Sequence, residues 1–217
     1  MIPAQFDIAS QFKQGLAIVK TGDKFGYIDK SGKYVIQPEF DYAQEFANGL
    51  ARIEINGKNG FIDGSGRIVI QPRFDIAWDF SDGLALVQIK GKYGYIDKNG
   101  QIVIEPRFSN AWSFSENLAQ VKLNSKWGYI DQSGKFMIEP QFQDAGNFAD
   151  GLAWVQVEQK YGYIDKKGEL VIAPEFDQVN DFAQGLAIVR TGQKWVYINK
   201  NGQVVSNPEN MLLQEEK

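Results

Sequence analysis

Histidine and cysteine are both absent from the 217 residues. Without cysteine there is no disulfide and no thiolate nucleophile or metal ligand. Without histidine the commonest general base, the commonest metal ligand and the imidazole of a hydrolytic triad are missing. No apolar run approaches the roughly 18 residues that a membrane-spanning helix needs. The N-terminus, Met1-Ile2-Pro3-Ala4-Gln5-Phe6-Asp7, lacks the basic-then-apolar layout of a signal peptide, and the expected location is the cytoplasm. Positive charge is not in excess: Lys+Arg is 23 against Asp+Glu 27, a net charge of −4, without the basic stripe of a duplex-binding protein. Composition therefore disfavours an enzyme, a nucleic-acid binder and a membrane protein. No cofactor and no metal site is expected.

What the chain does have is repetition. Pro3 and Pro38 are 35 residues apart, and Pro72, Pro106, Pro140, Pro174 and Pro208 follow at intervals of 34. Phe6, Phe40, Phe74, Phe108, Phe142 and Phe176 share the 34-residue step, and a second phenylalanine stands six residues after each. Gly-Leu-Ala recurs from 15, 49, 83, 151 and 185, with Asn117-Leu118-Ala119 as the variant. Such a fixed period marks a repeat architecture of small supersecondary units.

Within a unit the apolar runs are short, β-branched and aromatic, and Gly, Asn and Asp bound them. Residues 49–80 read as strand, turn, strand, turn, strand, then a connector with a short fourth strand. Asp29, Asp63, Asp97, Asp131 and Asp165 each precede a glycine by three residues. An aspartate opening a turn accepts backbone N–H bonds, and glycine supplies the positive φ that closes it. The invariant alanines, Ala17 through Ala187, mark places where backbones approach closely. Each proline removes a ladder donor and is expected to end its strand at a sheet edge. Asn210–Lys217 could form a helical turn or a tail.

Lys126-Trp127-Gly128-Tyr129-Ile130-Asp131, preceded by Leu118-Ala119-x-Val121 and followed by Gly134-Lys135 and Pro140-x-Phe142, resembles the WG-repeat family, also called KWG repeats. Six copies in register carry the resemblance over about residues 3–208. The chain departs from the pattern at Phe25, Asn59, Tyr93 and Tyr161, which stand for tryptophan, and at Val196 and Asn199, which stand for Gly and Asp. The resemblance implies a largely bacterial family of repeat-built binding proteins, and it brings no catalytic residues.

The fold class expected is all-β: six tandem meander units closing as a propeller-like ring, with an open superhelical β-array as the alternative. One domain is expected over 1–206, its units starting near 15, 49, 83, 117, 151 and 185. Residues 1–14 are expected to complete the sixth unit, and 207–217 to form a tail or cap. A closed ring predicts a monomer. An open array leaves sheet edges that could pair in a dimer.

Function is expected in the columns that vary between units. The first is Ser10, Gln44, Trp78, Trp112, Gly146, Asn180. Side chains from Gly to Trp are tolerated there, which argues against a core position, and Trp78 and Trp112 in adjacent units could form a stacking platform. The second is Ile18, Arg52, Leu86, Gln120, Trp154, Ile188, a candidate channel wall or ordinary inter-unit packing. Gln44, Arg52, Trp78, Trp112, Trp154 and Asn180 are thus the candidate binding residues. The aromatic column that includes Trp127 and Trp195 reads as packing. Asp79, Asp82, Glu116, Asp150 and Asp181 are unpaired acids, and a minor hydrolase activity would need two of them roughly 5–10 Å apart. The function expected is a non-enzymatic scaffold for a protein partner. The alternative is a carbohydrate-binding module that uses Trp78 and Trp112.

Overall fold

The computed structural model describes residues 5–206. The chain divides into two compact units, Met1–Arg107 and Phe108–Lys217. The expected tail at 207–217, the helical turn within it, and Pro3 and Pro208 lie outside the described residues.

The N-terminal unit carries three four-stranded antiparallel sheets. The first is β1 (Ile8–Ala9), β2 (Leu16–Thr21), β3 (Lys24–Asp29) and β4 (Tyr34–Phe40). The second is β5 (Tyr42–Ala43), β6 (Leu50–Ile55), β7 (Lys58–Asp63) and β8 (Ile68–Phe74). The third is β9 (Ile76–Ser81), β10 (Leu84–Ile89), β11 (Lys92–Ile96) and β12 (Ile102–Phe108).

The C-terminal unit repeats the plan. Its first sheet, the fourth of the chain, is β13 (Asn110–Ala111), β14 (Ala119–Leu123), β15 (Lys126–Ile130) and β16 (Phe136–Phe142). The fifth is β17 (Asp144–Ala145), β18 (Ala153–Val157), β19 (Lys160–Ile164) and β20 (Leu170–Phe176). The sixth is β21 (Gln178–Val179), β22 (Leu186–Thr191), β23 (Lys194–Asn199) and β24 (Val204–Ser206). Among the described residues no helix is long and apolar enough to cross a membrane.

Two expectations are corrected by the pairing. The N-terminal segment does not complete the sixth unit. Ile8 and Ala9 pair with Lys20 and Val19, so residues 5–14 open the first sheet, and the sixth is built from β21–β24. The short connector strand always joins the hairpin that follows it, because that partner lies about ten residues away and local closure costs the least chain entropy. The prolines do not end their strands either. Pro38 sits fifth in the seven residues of β4, and the ladder resumes beyond it with Phe40 opposite Phe25. A register shift absorbs the missing donor. One residue of β3 (Gly26) faces three of β4 (Gln37, Pro38, Glu39), a bulge on the edge strand.

That bulge explains a glycine column. A Cβ on Gly128 would stand 2.6 Å from the Ile138 carbonyl oxygen and 2.7 Å from the Pro140 nitrogen, both backbone atoms. The turn chemistry is as expected. Asp63 Oδ1 accepts the amides of Ser65 (3.0 Å) and Arg67 (3.1 Å), and Gly66 N donates to the Asp63 carbonyl at 2.9 Å. Asn199 does the same work in the sixth sheet, accepting Asn201 N and Gln203 N, each at 3.0 Å.

The core lies between consecutive sheets. In the C-terminal unit Tyr129, Ile138 and Phe142 of the fourth sheet pack on Ala145, Phe148, Ala153 and Val155 of the fifth. Tyr163, Ile172 and Phe176 of the fifth pack on Phe182, Ala187 and Val189 of the sixth. The repeated alanines are buried, and Ala51, Ala85, Ala153 and Ala187 lie where the preceding sheet packs against them. Polar contacts join the sheets as well. The Glu116 carboxylate accepts Gly151 N at 3.1 Å, and Asp150 Oδ2 accepts Gly185 N at 2.7 Å.

Candidate binding groove in the C-terminal unit

The two variable columns face each other across one antiparallel pair. Trp112 N donates to the Gln120 carbonyl (3.1 Å), Gly146 N to that of Trp154 (2.9 Å) and Asn180 N to that of Ile188 (3.0 Å). Opposed residues on one face of a sheet share the space above it. Where one is large the other must be small. Gly146 is the clearest case, since a Cβ there would run into the Trp154 indole at Nε1 and Cε2. Glycine on β17's side thus makes room for the tryptophan of β18.

The backbone under the column is held by tyrosines of the preceding sheet. Tyr129 Oη donates to the Gly146 carbonyl and Tyr163 Oη to the Asn180 carbonyl, each at 2.8 Å. Burial pushes both phenol pKa values well above their ordinary range, so they remain donors. Because the tyrosine grips a main-chain atom, the side chain of the column can change without loosening the fold.

Three cavities run along this face. The first, of about 250 Å³, is lined by Trp112, Trp154, Gln120, Asn147, Asp144 and Asp181, with Ala145 and Gly146 beneath. The second, of about 300 Å³, is shared by Trp154, Asn180 and Trp195. The third, of about 360 Å³, lies between Asn180, Trp195 and Tyr197. Adjoining cavities share a wall, Trp154 between the first two and Asn180 with Trp195 between the last two, so they form one groove across the three sheets. Trp112 is 53% exposed and Trp195 42%. The Trp154 ring meets Tyr161 edge-on, with centroids 5.7 Å apart.

The charge along the groove is uneven. Asp144 and Asp181 both stand close enough to Tyr129 to help raise its pKa. Burial pushes the Asp181 carboxyl above the usual aspartate value, and the Trp154 indole N–H opposes that by hydrogen bonding. Further along, the Arg190 guanidinium lies 5.9 Å from the Trp195 ring centroid.

Of the residues singled out in the sequence, the groove brings together the candidate binding residues Trp112, Trp154 and Asn180 and the candidate acid Asp181. Gln44, Arg52 and Trp78 belong to the N-terminal unit. There Gln44 N donates to the Arg52 carbonyl at 2.9 Å, and Gln44 Nε2 to Tyr42 Oη at 2.7 Å. Arg52 Nη1 donates to the buried Asn59 Oδ1 at 3.0 Å, which accounts for an asparagine in an aromatic column. Trp78 is half-buried against Tyr93, ring centroids 5.9 Å apart.

Trp195 differs from its expected role as packing. Trp127, its counterpart in the fourth sheet, is 5% exposed because the fifth sheet covers it, whereas the sixth sheet has no successor within its unit. The departure of its neighbour, Val196 for glycine, was the available signal. Gln120 belonged to the second variable column, whereas Asp144 and Asn147 were not singled out in the sequence and only the structure places them at the cavity.

The fold recurs in known structures. A crystal structure of a eukaryotic initiation factor is 12% identical over 88% of this chain, with a TM-score of 0.55, and this chain covers 62% of that one. Hsv2 of Kluyveromyces marxianus is 11% identical, with coverage of 86% and 73% and a TM-score of 0.52. Hsv2 of Kluyveromyces lactis is 10% identical, with coverage of 86% and 71% and a TM-score of 0.53. At these identities the likeness concerns the fold alone, which is all-β and propeller-like. No curated protein matches the chain. The sequence pattern of the WG containing repeat matches six times in succession, at residues 1–25, 25–58, 60–93, 93–127, 127–161 and 161–195. With its six hairpin units and their turn, bulge and alanine columns now accounted for, the chain belongs to the WG containing repeat family.

Proposed function

We propose that this chain is a non-enzymatic binding scaffold that docks a protein partner along the Trp112–Trp154–Trp195 groove. The observation that carries the reading is the groove itself, three adjoining cavities walled by tryptophans and opening on the surface of one unit. Exposed tryptophans concentrate binding energy at protein interfaces, and a rigid sheet holds them at low entropic cost. Two of the acids that might have served a hydrolase, Glu116 and Asp150, are occupied with backbone amides of the next sheet.

A second reading is a carbohydrate-binding module. The alternation of indoles with Gln120, Asn147 and Asn180 along the groove favours it, since sugar rings stack on indoles and bond to amides. The Trp154 indole then takes the place that the sequence suggested for Trp78.

The test is affinity capture from a lysate of the source cells, identification of the retained protein, and rebuilding of the complex from purified components. Trp112→Ala/Trp154→Ala should lose the rebuilt complex while Trp78→Ala keeps it. Retention of the partner by the double variant would end the docking reading. Binding of a soluble glycan that the double variant loses would select the second reading.

A further inference from the structure

We propose that the cavity between Trp112 and Trp154 receives a cationic side chain of the partner, arginine above lysine; this rests on the docking reading above. Three observations converge there. Two carboxylates, Asp144 and Asp181, line a cavity of about 250 Å³ to which, among the described residues, no lysine or arginine contributes. Neither carboxylate is in an ion pair among the described residues, whereas Asp41, Asp75 and Asp177 each hold a lysine within 2.6 Å. Gln120 is only 3% exposed, lines the cavity, and makes no side-chain hydrogen bond among the described residues. Its amide stands at the wall of the cavity and can bond a ligand atom there.

The N-terminal unit shows the same column with the cation already present. Arg52 stands 68 residues, two repeats, before Gln120. Its guanidinium bonds Asn59 and lies 5.9 Å from the Tyr42 ring centroid. The fold thus holds a guanidinium beside an aromatic ring at this position in one sheet. Two sheets later it leaves an amide, two indoles and two carboxylates around an open space.

Chemistry favours arginine. A planar guanidinium stacks on an indole and directs a fork of N–H donors at carboxylate and amide oxygens in one plane. An ammonium satisfies the charge but not the plane. A neutral sugar would leave the Trp154 indole N–H to oppose the burial of the Asp181 carboxylate without a countercharge. The cation would do the opposite, drawing that carboxyl back toward its ordinary pKa.

The experiment uses the full chain labelled with 15N and follows the indole N–H signals. Three capped peptides, Gly-Arg-Gly, Gly-Lys-Gly and Gly-citrulline-Gly, are titrated, alongside a soluble gluco-oligosaccharide. The arginine peptide should move the signals of Trp112 and Trp154 and leave buried Trp127 in place. Citrulline, which keeps the shape and loses the charge, should bind about tenfold more weakly or worse. Asp144→Asn/Asp181→Asn should weaken the arginine peptide to the same degree, and Gln120→Met, which keeps volume without the amide, by a smaller factor. Equal binding of the citrulline peptide, or no effect of the double asparagine variant, overturns the proposal. So does an oligosaccharide that moves these signals when the arginine peptide does not. If the arginine peptide fails but the purified partner of the docking test moves the same indoles, the docking reading stands and the cation proposal falls. If neither moves them, both fall.

Discussion

The N-terminal and C-terminal units are built on one plan of three sheets, yet they treat the two variable columns in opposite ways. In the N-terminal unit the facing side chains bond or pack on near neighbours, with Arg52 Nε the one buried polar side-chain atom there that lacks a partner among the described residues. Ser10 Oγ accepts Ile18 N at 3.0 Å, Gln44 bonds Tyr42, Arg52 bonds Asn59, and Trp78 packs on Tyr93. In the C-terminal unit the pairs Trp112/Gln120 and Gly146/Trp154 leave polar groups and indoles facing a cavity. Backbone, turns and core are alike in both. The difference is one of cross-strand volume and charge. A repeat protein can therefore hold its fold constant and create a site by changing a few paired positions.

The largest expected effect probes what the units share. Gly128→Ala, in the C-terminal unit, and Gly94→Ala, in the N-terminal, each place a Cβ within 2.6 Å of a carbonyl oxygen of the edge strand. Both should lose about 2–4 kcal/mol in urea denaturation, since backbone must shift to make room. A marked difference between the two would break the equivalence of the units. The sixth sheet already carries Val196 in this column, and there the described edge strand is only three residues long.

Next comes an exchange of the distinguishing residue. Gln120→Arg gives the C-terminal unit a cation of its own, as Arg52 does in the N-terminal. Binding of the arginine peptide should fall by tenfold or more, with the midpoint of thermal unfolding unchanged or raised. If the variant binds the peptide like the parent, the cavity is not where the cation sits.

A smaller effect is expected from the tyrosine clasps. Tyr129→Phe and Tyr163→Phe each remove a bond to a main-chain carbonyl at 2.8 Å, and each should cost about 1 kcal/mol. The second sheet carries Phe61 in this column, 17 residues before Trp78 as Tyr129 is before Gly146. Phe61→Tyr should recover a comparable amount by bonding the Trp78 carbonyl, as judged from chemical denaturation.

The smallest effect concerns acid. Hydrogen bonds from Lys24, Lys58 and Lys160 hold Asp41, Asp75 and Asp177 below the usual 3.8. A carboxyl with a depressed folded pKa stabilises the fold above its unfolded value and loses that contribution as pH falls through the folded one. On account of these carboxylates stability should decline as pH falls below 3.8. It should be flat from about pH 5 to about pH 9, above which the buried tyrosines begin to weigh against the fold. Lys58→Met should blunt that decline slightly, because these pairs are half exposed. A decline that begins near neutrality would contradict the assignment.

Much of this was legible in the residues. The 34-residue period named the number of sheets, and Asp-x-x-Gly named the turns. The unvarying alanines marked the crossings that prove to be buried. The variable columns were also visible, and their members Trp112, Gly146, Asn180, Gln120, Trp154 and Ile188 line the groove. Other features were not legible. The strand to which residues 5–14 pair, the passage of the strand through Pro38, and the exposure of Trp195 depend on contacts that a periodic pattern does not encode.

The sequence by itself determined that this is a chain of six β-hairpin units. Repetition of turn residues and alternating apolar residues leaves few other ways to pair the backbone locally. Only the tertiary structure decided which side chains are available to a ligand. Whether an indole is core or surface depends on the size of the residue opposite it and on whether another sheet lies over it. Gly146 opposite Trp154, and the absence of a following sheet over Trp195 within its unit, are the two instances that make the groove.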